Sequence, residues 1–127
     1  MKANEFVSCL FGIQVSAHIA HLQSKSYSEH MALDGLYNGM TDHIDAFVEA
    51  YQGKYGIIKK YGLELNEGGD FKEYLILKTE EVEQFRATVK EGFLQQLIDN
   101  IQELLHTTFC GFVSVCPLHK ASIYHEC

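Results

Sequence analysis

Four side chains able to hold a metal ion recur along one stretch of the chain, SYSEHMALDGLYNGMTDHIDAFVEA, residues 26–50: His30, Asp34, Asp45 and Glu49. Imidazole nitrogens and carboxylate oxygens together suit a borderline cation such as Fe(II), with Zn(II) or Mn(II) as substitutes. Side chains four residues apart on a helix lie one above the other, so His30 with Asp34, and Asp45 with Glu49, can each grip a cation. At about 100° per residue, with His30 at zero, Asp34 falls near 40°, Asp45 near 60° and Glu49 near 100°. Leu33, Leu36, Met40, Ile44, Phe47 and Tyr51 fall between about −40° and −120°. The ligand-capable residues thus form their own strip along the border of the apolar face. Asp42 and His43 are read as surface residues outside the ligand set.

Distance along the helix limits what the strip can do. His30 and Glu49 are about 28 Å apart at 1.5 Å per residue, so one helix cannot bring both pairs to one ion. A two-fold axis crossing the helix near Gly39 can, by setting His30 and Asp34 of one subunit against Asp45 and Glu49 of a second copy. The spacing therefore predicts two equivalent sites at an isologous interface, with Gly35 and Gly39 allowing close approach. Two histidines upstream, His18 and His21, are candidates for a further ligand. His21 is favoured because it ends the first helical segment and only the short stretch SKSYS separates it from the second.

The elements that must position these residues are legible from periodicity. Apolar side chains recur at helical steps over residues 3–23. Ser26 followed by Glu29 forms the start signal of a second helix, predicted to run to about Gln52 and to end at Gly53 and Gly56. The glycine-rich stretch 53–69, GKYGIIKKYGLELNEGG, is the longest connection. Phe71, Tyr74, Leu75, Val82, Phe85 and Val89 mark a third helix. Gly92 begins a tight link to a fourth, with Leu94, Leu97, Ile98, Ile101, Leu104, Leu105 and Phe109 in one stripe. The expected fold is all-α: a four-helix bundle, ferritin-like, with a long second connection, over residues 1–113. Residues 114–127 read as an irregular tail, stopped from extending the last helix by Pro117.

Composition narrows the function classes. The chain has 127 residues, one proline, 10 basic and 17 acidic side chains, and a net charge of −7. An acidic surface attracts cations and disfavours nucleic acid as a partner. No apolar run is long enough to span a bilayer. The start, MKANEFVSCLFGIQV, lacks the basic and apolar regions of a secretory signal, and the expected location is the cytoplasm. Three of the four cysteines, Cys110, Cys116 and Cys127, cluster near the end in no standard disulfide or zinc spacing.

The pattern H-x3-D-x10-D-x3-E, carried by His30, Asp34, Asp45 and Glu49, resembles the ferroxidase motif of the Dps mini-ferritins, or of a small ferritin-like family of the phage type. The similarity extends over HMALDGLYNGMTDHIDAFVEA and to an upstream histidine, His18 or His21. The chain lacks the tryptophan that usually follows that histidine, and lacks a basic N-terminal tail. The resemblance implies iron, mono- or di-nuclear, held by His21, His30, Asp34, Asp45 and Glu49. It further implies a ferroxidase that oxidises and sequesters Fe(II) and removes peroxide. The implied assembly is a homodimer or larger homo-oligomer, up to a dodecameric shell. The alternative is a ferritin-like structural or interaction module that binds metal weakly or not at all.

Overall fold

A computed structural model of the protein describes residues 1–113; the expected irregular tail, 114–127, lies outside the described residues. The described residues form four helices and no strand: α1 (Ala3–Gln23), α2 (Tyr27–Tyr55), α3 (Phe71–Thr88) and α4 (Gly92–Val113). Ser26 caps α2 by accepting a hydrogen bond from the Glu29 amide at 3.4 Å, and Asp70 caps α3 by accepting from the Lys72 amide at 3.1 Å. Each of these caps satisfies one of the amides that a helix start leaves without a partner. α2 runs past the expected stop at Gln52 and ends at Gly56, where φ is +93°. Gly53 is absorbed into the helix. A glycine ends a helix only where the chain needs the left-handed region, and Gly56 is where it does.

α1 and α2 form one antiparallel hairpin, and α3 and α4 a second. α1 packs on α2 and α3, and α4 packs on the same two helices, which leaves α1 and α4, and α2 and α3, diagonally opposed. The connection between the hairpins crosses the length of the bundle along α1. The Gly62 amide donates to Ser8 Oγ and the Asn66 amide to Ser16 Oγ, both at 2.9 Å. Between them Gly12 lies under the crossover, where an added Cβ would stand 2.6 Å from the carbonyl oxygen of Glu64. Ser8, Gly12 and Ser16 thus make a track of small residues at steps of four that seats the crossover and satisfies two of its amides. That pattern was visible in the sequence as S-x3-G-x3-S and is absent from the periodicity reading, which follows apolar residues only.

The core is built from one face of each helix. Phe6, Leu10 and Ile13 of α1 meet Leu36, Met40, Ile44 and Phe47 of α2, Leu75 and Val82 of α3, and Ile98, Ile101 and Leu105 of α4, all buried. Phe6 stacks on Phe85 with ring centroids 4.2 Å apart and meets Phe47 edge-on at 5.1 Å. Burial of each such side chain contributes about 1.5–3 kcal/mol, which fixes the rotation of α2 and hence where its polar strip points. No helix of the described residues is long and apolar enough to cross a membrane.

The structure corrects the expected role of Gly39. A Cβ there would stand 3.0 Å from Leu104 of α4, so Gly39 serves the contact between α2 and α4 inside the chain. Gly111 of α4 does the same against Ala32, at 2.7 Å. Gly39 lies half a turn from His30, on the opposite side of the helix from the polar strip. Gly35, by contrast, has open space around it.

Candidate metal centre

The α1–α2 turn brings His21 and His30 together. Their rings stack with centroids 3.7 Å apart. His21 Nδ1 lies 3.0 Å from the backbone oxygen of His30, and His30 Nδ1 lies 3.2 Å from the backbone oxygen of His21. A carbonyl oxygen only accepts, so each Nδ1 carries the hydrogen and donates it. In the neutral ring that leaves Nε2 with the lone pair. The His21 carbonyl is one of the last of α1, where helical acceptors run out of partners; it also accepts from the Ser24 amide at 3.3 Å. The pair therefore clasps the end of α1 to the start of α2 and leaves the Nε2 lone pair of both neutral rings outside these two bonds.

Asp34 lies one turn along α2 from His30. Its Oδ1 accepts from the Tyr37 hydroxyl and from Asn38 Nδ2, each at 3.2 Å. Burial, then the hydrogen bond to Asp34 and the charge of its carboxylate, hold the Tyr37 phenol above its ordinary pKa. Tyr37 in turn stacks on His18, centroids 4.1 Å apart and rings within 4° of parallel. His18 is exposed and its ring stands 6.4 Å from that of His21. Of the two upstream histidines, His21 is the one set against His30. Gln14 Nε2 adds a tie between α1 and α2 by donating to Thr41 Oγ1 at 2.5 Å. Tyr37 and Asn38 were not singled out from sequence as supports for Asp34. The signal was their position three and four residues beyond it, on the same helical face.

Asp45 and Glu49 lie farther along α2 and are exposed. Among the described residues neither has an ion-pair or hydrogen-bonding side-chain partner. Within one chain they stay away from His21, His30 and Asp34, as the helical rise requires. No group of three or more histidine, cysteine, aspartate and glutamate side chains among the described residues is placed to hold a metal ion. The single chain thus presents a joined His21–His30 pair near the hairpin turn, Asp34 one turn along α2 held by Tyr37 and Asn38, and an exposed Asp45–Glu49 pair farther on.

A profile described as "Family of unknown function (DUF5856)" matches residues 21–109, which is most of the chain. The chain belongs to that family. The match runs from His21 into α4 and takes in His21, His30, Asp34, Asp45 and Glu49, while His18 lies outside it. The protein is also similar to an "Uncharacterized 14.6 kDa protein in mobD-ri intergenic region" of Enterobacteria phage T4, with 40% identity over 60 residues. That alignment covers 47% of this chain and 45% of the phage protein, so the chain spans about half the length of the curated relative it matches. No solved structure matches.

These findings overturn the Dps resemblance. The matching family is DUF5856, and neither a Dps nor a ferritin family is among the matches. The resemblance rested on the spacing H-x3-D-x10-D-x3-E, on the residues between those positions and on an upstream histidine; the spacing itself repeats the i,i+4 geometry of any long helix with a polar strip. Such a strip arises on any amphipathic helix that keeps one face in water.

Proposed function

We propose that the protein binds Fe(II) across a two-fold homodimer, with His21, His30 and Asp34 of one subunit facing Asp45 and Glu49 of the second copy. The observation that carries this reading is the crossed pair of Nδ1–H to carbonyl bonds, which leaves Nε2 of both imidazoles as acceptors. Histidines that ligate a metal commonly donate their other ring N–H to a carbonyl or carboxylate, and that bond fixes ring orientation and raises basicity. Asp34, oriented through Oδ1 by Tyr37 and Asn38, retains Oδ2 for a cation. Asp45 and Glu49, exposed and without side-chain partners among the described residues, are available to a second copy. The donor set of imidazole and carboxylate fits Fe(II), Zn(II) and Mn(II). The carboxylates balance the added charge when iron passes to Fe(III). Hydrogen peroxide would take one electron from each of a pair of Fe(II) and leave as hydroxide, which makes the reading a ferroxidase.

Anaerobic titration with Fe(II) or Co(II), read by calorimetry and by sedimentation of the same samples, tests it. Metal is expected to bind a dimer, with Asp45→Asn weakening binding about 10–100-fold, as for loss of a metal-shell group. A monomer throughout, or equal binding by wild type and Asp45→Asn, overturns the reading.

One observation favours a second reading. His21 and His30 satisfy each other through their Nδ1 bonds without any ion, as a structural clasp would. In that reading the bundle is an interaction module, and metal binding is weak or lacking.

A further inference from the structure

The cationic side chains of this acidic chain are not spread evenly. Among the described residues, ion pairs engage Lys54 with Glu91, Lys72 with Glu29, Lys78 with Glu81 and Arg86 with Asp99. Of the cationic side chains outside these pairs, Lys2, Lys59, Lys60 and Lys90 stand at one end of the bundle, where α1 and α4 begin and α2 and α3 end; Lys25 lies at the other end. Lys2, Lys59 and Lys60 line a cleft of about 670 Å³ together with Tyr51, Tyr55 and Ile57. The same two tyrosines wall a second cavity of about 300 Å³ on their other side, which contains Lys90.

The aromatic wall and the backbone that carries Lys59 and Lys60 are held in place. The Tyr51 and Tyr55 rings pack with centroids 4.8 Å apart. The Tyr55 hydroxyl donates to Glu91, whose carboxylate also receives Lys54 Nζ at 3.0 Å. The chain carrying Lys59 and Lys60 leaves α2 through a fixed turn, in which the Ile58 amide donates to Gln52 Oε1 at 3.0 Å and the Gly56 amide to the Gln52 carbonyl oxygen at 2.9 Å. Ile57 is 72% exposed and Tyr55 54% exposed, so apolar surface lies open beside the ammonium groups.

Lys60 also borders a neighbouring cavity with Glu5, Glu64 and Glu81, but none of Lys2, Lys59 and Lys60 forms an ion pair among the described residues. Clustered ammonium groups repel one another, and an anion relieves that repulsion. Lysine binds phosphate as a point charge. Aromatic and aliphatic surface next to such a charge fits a ligand with an apolar, flat body. We propose that this end of the bundle is a binding site for a nucleotide, its phosphates on Lys2, Lys59 and Lys60 and its base against Tyr51, Tyr55 and Ile57. The site shares no residue with the proposed metal centre and does not depend on it.

Calorimetric titration of the full chain with ADP, adenosine and inorganic phosphate, in EDTA to remove metal bridging, tests the proposal. ADP is expected to bind more tightly than either fragment. Affinity should fall as salt is raised, because exposed charges are screened. The double variant Lys59→Gln with Lys60→Gln, folded by circular dichroism, is expected to bind ADP at least about tenfold more weakly, the loss of about 1.4 kcal/mol. Ile57→Ser removes apolar surface without adding charge and is expected to weaken ADP while sparing inorganic phosphate. No binding of ADP, equal affinity for ADP and phosphate, or an unchanged affinity in the lysine variant overturns the proposal. Loss of metal binding in the Asp45→Asn test leaves it standing.

Discussion

The two ends of the polar strip on α2 have the same residue chemistry and opposite surroundings. Near the hairpin turn, His21 and His30 are stacked and cross-bonded, and Asp34 is held by Tyr37 and Asn38. Four turns along, Asp45 and Glu49 stand in solvent without side-chain partners among the described residues. The difference teaches that equal spacing on a helix says nothing about whether a side chain is fixed. What fixes the first group is α1, whose last turn packs against the start of α2. Asp45 and Glu49 are exposed, and no side chain among the described residues holds them.

The largest effect of breaking this contrast is expected at the clasp. His30→Ala removes one donor and leaves the His21 carbonyl with one fewer partner at a site where burial limits water. The expected cost is about 1–3 kcal/mol of stability, read as a lower urea midpoint at constant slope. His21→Ala should act similarly. If both changes left the midpoint in place, the crossed hydrogen bonds would contribute nothing to the hairpin.

A second comparison, between a held and a free carboxylate, is set by pH. Glu91 receives the Tyr55 hydroxyl and the Lys54 ammonium, which together lower its pKa from 4.5 to about 2. A carboxyl depressed in the folded state contributes stability that is present above its unfolded value and is lost as pH falls from 4.5 toward about 2. Glu91→Gln is therefore expected to flatten the stability profile in that window and to leave its shape near neutrality unchanged. Urea midpoints at a series of pH values from neutral to acid check it; an unaltered acid slope would remove Glu91 from the account.

The smallest effect on stability is expected at the free pair. Asp45→Asn and Glu49→Gln alter exposed side chains and should each change monomer stability by no more than about 0.5 kcal/mol. Their effect is expected in metal titration instead. Such a split, with stability at His30 and binding at Asp45, would sharpen the division between the two ends. A large loss of stability at Asp45 would instead show that Asp45 is held by a partner inside its own chain.

Much of the fold was legible because helices announce themselves locally. The apolar periods of all four helices and the Ser26 cap are patterns within a few turns of chain, and the structure follows them, while Gly92, expected in the link, is the first residue of α4. The end of α2 was misplaced because two glycines, Gly53 and Gly56, carry the same local signal. Which of them takes a positive φ depends on where the crossover must leave the bundle.

The candidate site was legible only in part. The sequence by itself determined the strip, since the angular positions of His30, Asp34, Asp45 and Glu49 follow from the helical repeat alone. It likewise determined that a single helix keeps the two pairs apart. Tertiary structure alone decided that His21 rather than His18 meets His30, because that depends on the angle at which α1 enters the turn. It also placed Gly39 under Leu104 rather than at an outer interface, and seated the crossover on Ser8, Gly12 and Ser16. The physical reason is range. Propensity and periodicity act over three or four residues, whereas these choices join segments tens of residues apart, and only packing the common core selects among the rotations that each helix could adopt.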